Sequence, residues 1–166
     1  MLFRSYAGDD QRAQELVADL ANRSPESTVT QNNFLPALKA ALALNKGSAS
    51  GAIESLTSTA PYDLGRCGSY GWTVLYPVYE RGEAYLAAHQ AAAAVAEFQK
   101  IIDHRGIVVN SPIGALAYAQ ISRAYAMQGD VPKAKAAYRD LLALWKDADS
   151  DLPILNQAKA EYAKLR

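Results

Sequence analysis

Apolar positions along the chain recur at helical spacing, and the recurrence itself repeats. Ala13, Ala52, Ala94 and Ala134 each open an apolar stripe, at separations of 39, 42 and 40 residues. Four residues later stand Val17, Leu56, Phe98 and Tyr138. Three of the stripes continue at +7 with Leu20, Ile101 and Leu141, while Thr59 holds that place in the second. A 0, +4, +7 pattern is one face of an α-helix. Thr59 and Pro61 predict that the second of these helices ends early.

A partner helix precedes each stripe. The clearest is expected over 111–128, with Ser111 as N-cap, Pro112 in the first turn, and Ile121, Ala124 and Tyr125 as its apolar stripe. Gly129-Asp130 then breaks and restarts the chain, the glycine left-handed and the aspartate capping the next helix. Ala134, Tyr138, Leu141 and Trp145 carry the buried face of that helix. The pattern predicts an all-α fold of antiparallel hairpins over about 1–25, 30–60, 72–106 and 111–148. Leu155, Ala158, Tyr162 and Leu165 predict a capping helix over 151–166. Only seven residues precede the Gly8-Asp9 turn, so the chain is expected to start inside a hairpin, as a piece of a longer protein.

Ile121-Ser122-x-x-Tyr125 followed by Gly129-Asp130, Ala134, Tyr138 and Leu141 resembles the tetratricopeptide (TPR) pattern of small and large residues. Gly82, Tyr85, Ala94 and Phe98 resemble it again, with Ala88-His89-Gln90 where Gly-Asp is usual. Ala40, Gly47, Ala52 and Leu56 do so in the second hairpin, with Ala43 in place of a large residue and Gly51 weakening the helix start after Ser48. The resemblance implies a right-handed superhelix of hairpins. Two runs are narrower: Phe98-Gln99-Lys100-Ile101-Ile102-Asp103-His104-Arg105-Gly106-Ile107-Val108-Val109-Asn110, and Leu144 to Asp149 followed by Leu152-Pro153-Ile154-Leu155. They resemble the C-terminal helical-repeat region of bacterial, notably acidobacterial, serine/threonine protein kinases, and a similar region of winged-helix transcriptional regulators. That resemblance implies a non-catalytic sensor or interaction module of a signalling protein. Its partner would be a protein or peptide, including another part of the parent.

Composition narrows the alternatives. Seventeen basic residues balance seventeen acidic ones, which gives no overall basic excess for nucleic acid. No apolar run approaches the length of a membrane span. The parent is expected in the cytoplasm, with the extracytoplasmic side of a membrane-anchored protein as the alternative. Kinase signatures are absent from the sequence, since His104-Arg105 is followed by Gly106 rather than a catalytic aspartate. The expected role of His104-Arg105-Gly106 is a helix C-terminus. The glycine-rich segment Gly65–Gly71 lacks a phosphate loop's lysine and reads as a joint. Cys67, beside Arg66, is the lone thiol, and His89 and His104 have no metal-ligand spacing, so no cofactor or metal is expected. Trp72 and Trp145 are expected in the core, the Ala91–Ala96 run in close packing, and Glu161 with Lys164 on a solvated face.

In such arrays first helices line the binding face. Asn45, Tyr76, Tyr79, Glu83, Arg123 and Met127 are offset from the packing residues and form the expected partner groove, with the two tyrosines as possible core residues instead. Glu83 and Arg123 are expected as neighbours. Two further classes stay open: part of a kinase whose catalytic domain lies outside this chain, and a structural oligomerisation element.

Overall fold

The computed structural model describes residues 9–65 and 75–166, and every regular element among them is helical. The first helix of the first hairpin, the Arg66–Gly71 part of the glycine-rich joint, Cys67 and Trp72 lie outside the described residues. The helices are α1 (Asp10–Arg23), α2 (Leu35–Asn45), α3 (Ala49–Ser55), α4 (Tyr76–Ala87), α5 (Ala91–Asp103), the short α6 (Arg105–Val108), α7 (Ile113–Met127), α8 (Val131–Leu144) and α9 (Pro153–Lys164).

One turn of π-helix, Thr30–Phe34, leads into α2, and the Leu35 N–H reaches back to the Thr30 carbonyl. Pro36 follows directly. Its ring would crowd the carbonyl four residues back and it donates no hydrogen bond, so the wider turn accommodates it. Helix α3 ends at Ser55 and continues as a 3-10 turn, Thr57–Tyr62, which contains Pro61. Ser48 compensates for the weak helix start, its hydroxyl accepting from the Gly51 N–H at 3.3 Å.

Three hairpin turns share one geometry. Gly47, His89 and Gly129 have φ of +74°, +56° and +77°. In each, the following residue's N–H reaches a carbonyl five residues back: Ser48 to Ala43, Gln90 to Tyr85 and Asp130 to Tyr125, at 2.9, 2.8 and 2.9 Å. This is the left-handed helix ending that glycine favours, and His89 adopts it without being one. Asp130 caps α8 by accepting from the Lys133 N–H at 3.1 Å.

The turns pair α2 with α3, α4 with α5, and α7 with α8. Successive first helices also touch, α2 on α4 and α4 on α7, and each second helix packs on the next first helix. The four stripe alanines are fully buried at these contacts. Gly82 lies against Phe98, where an added Cβ would fall 2.6 Å from the ring. Around Phe98 gather Val78, Tyr79, Ile101, Ile121 and Ala124. Helix α9 packs on α8 through Ala158, with Tyr162 edge-on to Tyr138, and Leu155 is buried as well.

Several expectations are corrected. Gly106 does not end α5: the helix stops at Asp103 with His104 as its cap, and Gly106 sits within α6. The left-handed residue there is Val109, at φ +49°. Ser111 does not cap α7, because the Gly114 N–H that such a cap would serve bonds the Ser111 carbonyl at 3.1 Å. Ala92 and Ala96 face solvent, so the alanine run packs on one side only.

Candidate functional site

The face formed by α4, α7 and α9 carries a continuous chain of polar side chains. Gln120, on α7, donates through Nε2 to Glu83 Oε1 at 2.7 Å and to the Tyr79 hydroxyl at 3.2 Å, both on α4. Its Oε1 accepts from Arg123 Nη1 at 3.1 Å, one helical turn on. Arg123 Nε donates to Glu161 of α9 at 2.9 Å, and the same carboxylate oxygen accepts from the Tyr138 hydroxyl at 2.6 Å. Gln157 holds the other Glu161 oxygen at 3.0 Å. Glu161 thus lies half-buried in an interhelical bridge, not on a solvated face.

Electrostatics divide this chain in two. Burial pushes the Glu83 carboxyl up to about 7, although hydrogen bonding from Tyr79 and Gln120 and the Arg123 charge favour its ionised form. Burial also raises the Tyr79 hydroxyl, helped by the neighbouring Glu83. The Arg123–Glu161 pair is the balanced half. Burial opposes both charges, yet their mutual bond raises Arg123 and lowers Glu161. Arg123 Nη2 is buried without a hydrogen-bond partner among the described residues. Glu83 therefore lies under neutral donors, while the nearby cation is committed to Glu161.

The six residues expected in one groove are placed differently. Glu83 and Arg123 come together, through Gln120. The Tyr79 ring is core: it is 5% exposed and meets Phe98 edge-on at 5.7 Å, so only its hydroxyl reaches the polar chain. Tyr76 is half-buried against the same core. Met127 stands exposed at the end of α7. Asn45 is exposed but bonds Asp10 at the start of α1, at 2.7 Å.

A second polar cluster was not anticipated from sequence. Arg81 of α4 is 5% exposed and bonds Asp63 at 2.5 Å, Glu97 at 2.7 Å and the Thr59 hydroxyl at 2.9 Å. Lys100 bonds both carboxylates from the rim, at 3.1 and 3.0 Å. Two cations and two anions balance here, clamping the 3-10 turn onto α4 and α5. The Thr59 departure at +7 was its one sequence signal: a hydroxyl replaces leucine where Arg81 needs an acceptor.

Among the described residues no group of three metal-ligating side chains is brought together. No described helix is long and apolar enough to cross a membrane. Comparison with known proteins gives no match to a family model, a curated protein or a solved structure.

Proposed function

We propose that this chain is a TPR-type superhelical module that binds a protein or peptide, without catalysis, within a bacterial signalling protein. The observation that carries the reading is the polar chain across α4, α7 and α9. It sets a carboxylate and a guanidinium on one face of side-by-side first helices. The three equivalent hairpin turns and the fully buried stripe alanines support the repeat architecture. The resemblance of 98–110 and 144–155 to kinase-associated repeats supports the signalling context.

A bound segment would meet Tyr76, Glu83, Gln120, Arg123 and Met127. Charges on such a surface fix the direction and register of a peptide more than they supply affinity. Among the described residues no cation is bonded to Glu83, and Arg123 acts on it only through its charge, so a basic side chain on the ligand is the complementary group. Selection from a displayed peptide library tests this. Enriched peptides should carry a lysine or arginine, and Glu83→Gln should weaken them about tenfold, or about 1.4 kcal/mol. Enrichment without a basic residue, or affinity indifferent to Glu83→Gln, contradicts the reading.

A further inference from the structure

A cavity of about 320 Å³ opens on the far side of α7, between the end of α5, the 104–112 turn and the end of α8. Tyr118 faces it, whereas Gln120, two residues on, serves the polar chain. Two positions along a helix turn a side chain to the opposite face, so this is a separate site. Its size lies in the range of small-molecule pockets.

The wall is aliphatic and aromatic: Ile101, Ile102, Val108 and Trp145. Its polar groups are Arg105, Asn110, Ser111 and Tyr118, and among the described residues no aspartate or glutamate lines it. Arg105 spends one donor on the Tyr118 hydroxyl, and that hydroxyl keeps its own hydrogen. Ser111 is 9% exposed, and its hydroxyl is buried without a hydrogen-bond partner among the described residues. Val109 and Leu144, at 68% and 52%, are the most exposed large apolar side chains among the described residues, and both stand on this cavity. Val109 is also held at φ +49° and ψ −118°, a conformation that branched residues rarely adopt. Strained residues of this kind cluster at ligand clamps.

We propose that the cavity binds an organic acid with an apolar chain of medium length. The carboxylate would lie on Arg105, with the Ser111 and Tyr118 hydroxyls as further donors. The chain would run along Ile101, Ile102 and Trp145 and cover Val109 and Leu144. A lining with one cation, several donors and no anion selects against cationic amphiphiles. An alcohol of the same chain would keep the apolar contacts and lose the charge-assisted ones.

The test is amide chemical-shift titration of the whole chain with octanoate, octanol and octyltrimethylammonium at neutral pH. Octanoate should bind most tightly, with shifts at Ile102, Ser111 and Gly114. Arg105→Gln should raise its Kd at least tenfold and leave octanol unchanged. Ala115→Trp, which fills the cavity from α7, should abolish octanoate binding in a chain that keeps its helical spectrum. Equal affinities for the three probes overturn the proposal. So does an octanoate Kd unaffected by Arg105→Gln, absence of octanoate binding, or shifts confined to Tyr79 and Gln120.

Discussion

Gly82→Ala sets two effects of opposite sign against each other. In an exposed helix interior the change favours folding by about 1 kcal/mol, because glycine loses more backbone freedom. Here the added Cβ would lie 2.6 Å from Phe98 Cε1 and Cζ and 3.0 Å from Cδ1. The ring cannot swing away: it is fully buried and edge-on to Tyr79 at 5.7 Å. Overpacking of this kind costs about 1–3 kcal/mol, and two atoms well inside contact distance place it at the upper end. The net expectation is a loss of about 1–2 kcal/mol, a fall in Tm of roughly 2–8 °C for a chain of this size. Gly106→Ala is the control, since among the described residues nothing beyond its own stretch of helix backbone lies within 4 Å of its added Cβ, and it sits in a helical turn. It should be neutral or stabilising by up to about 1 kcal/mol. Urea unfolding followed by circular dichroism at 222 nm reads both. If Gly82→Ala stabilises as much as Gly106→Ala, then α4 and α5 do not cross at Gly82 and Phe98, and the hairpin register is refuted.

Other expectations rest on single groups. Glu83 holds its proton to about pH 7 in the folded chain, against an ordinary 4.5. The native state therefore binds more protons than the unfolded one between these values, and stability falls as pH rises through them. Glu83→Gln should match the parent at pH 4 and exceed it at pH 8, by at most about 3 kcal/mol; a difference that does not vary with pH sinks the assignment. Arg81→Met should cost about 3–5 kcal/mol by stranding buried Asp63 and Glu97, and a denaturation midpoint equal to the parent's would show that Lys100 alone neutralises them. His89→Gly should raise stability by about 1 kcal/mol, since φ of +56° suits glycine; a lower Tm would mean that the imidazole makes an interaction worth more than the strain.

How much of this was legible follows from the range of each interaction. The stripes at Ala94/Phe98 and Ala134/Tyr138 were readable, because burial on a helix imposes a local period that the chain must repeat. So was the Gly129-Asp130 turn, whose signals are adjacent residues. The bridging role of Gln120 was not, since it bonds residues 41 and 37 positions away and nothing local marks it. The Glu161 bridge and the Arg81 cluster escaped for the same reason: a charged residue at helical spacing reads as solvated until the facing helix is known. Ser111 misled because the local cap signal competes with the reversal at Val109, which already turns the chain before α7 begins.

The proposed function stands on partner binding at the face shared by α4 and α7. Its most direct test is amide chemical-shift mapping of the isotope-labelled chain with a library-selected basic peptide. Perturbations should centre on Tyr76, Glu83, Gln120, Arg123 and Met127. Perturbations centred instead on the exposed residues of α5 and α8, such as Ala96 and Arg139, would contradict it.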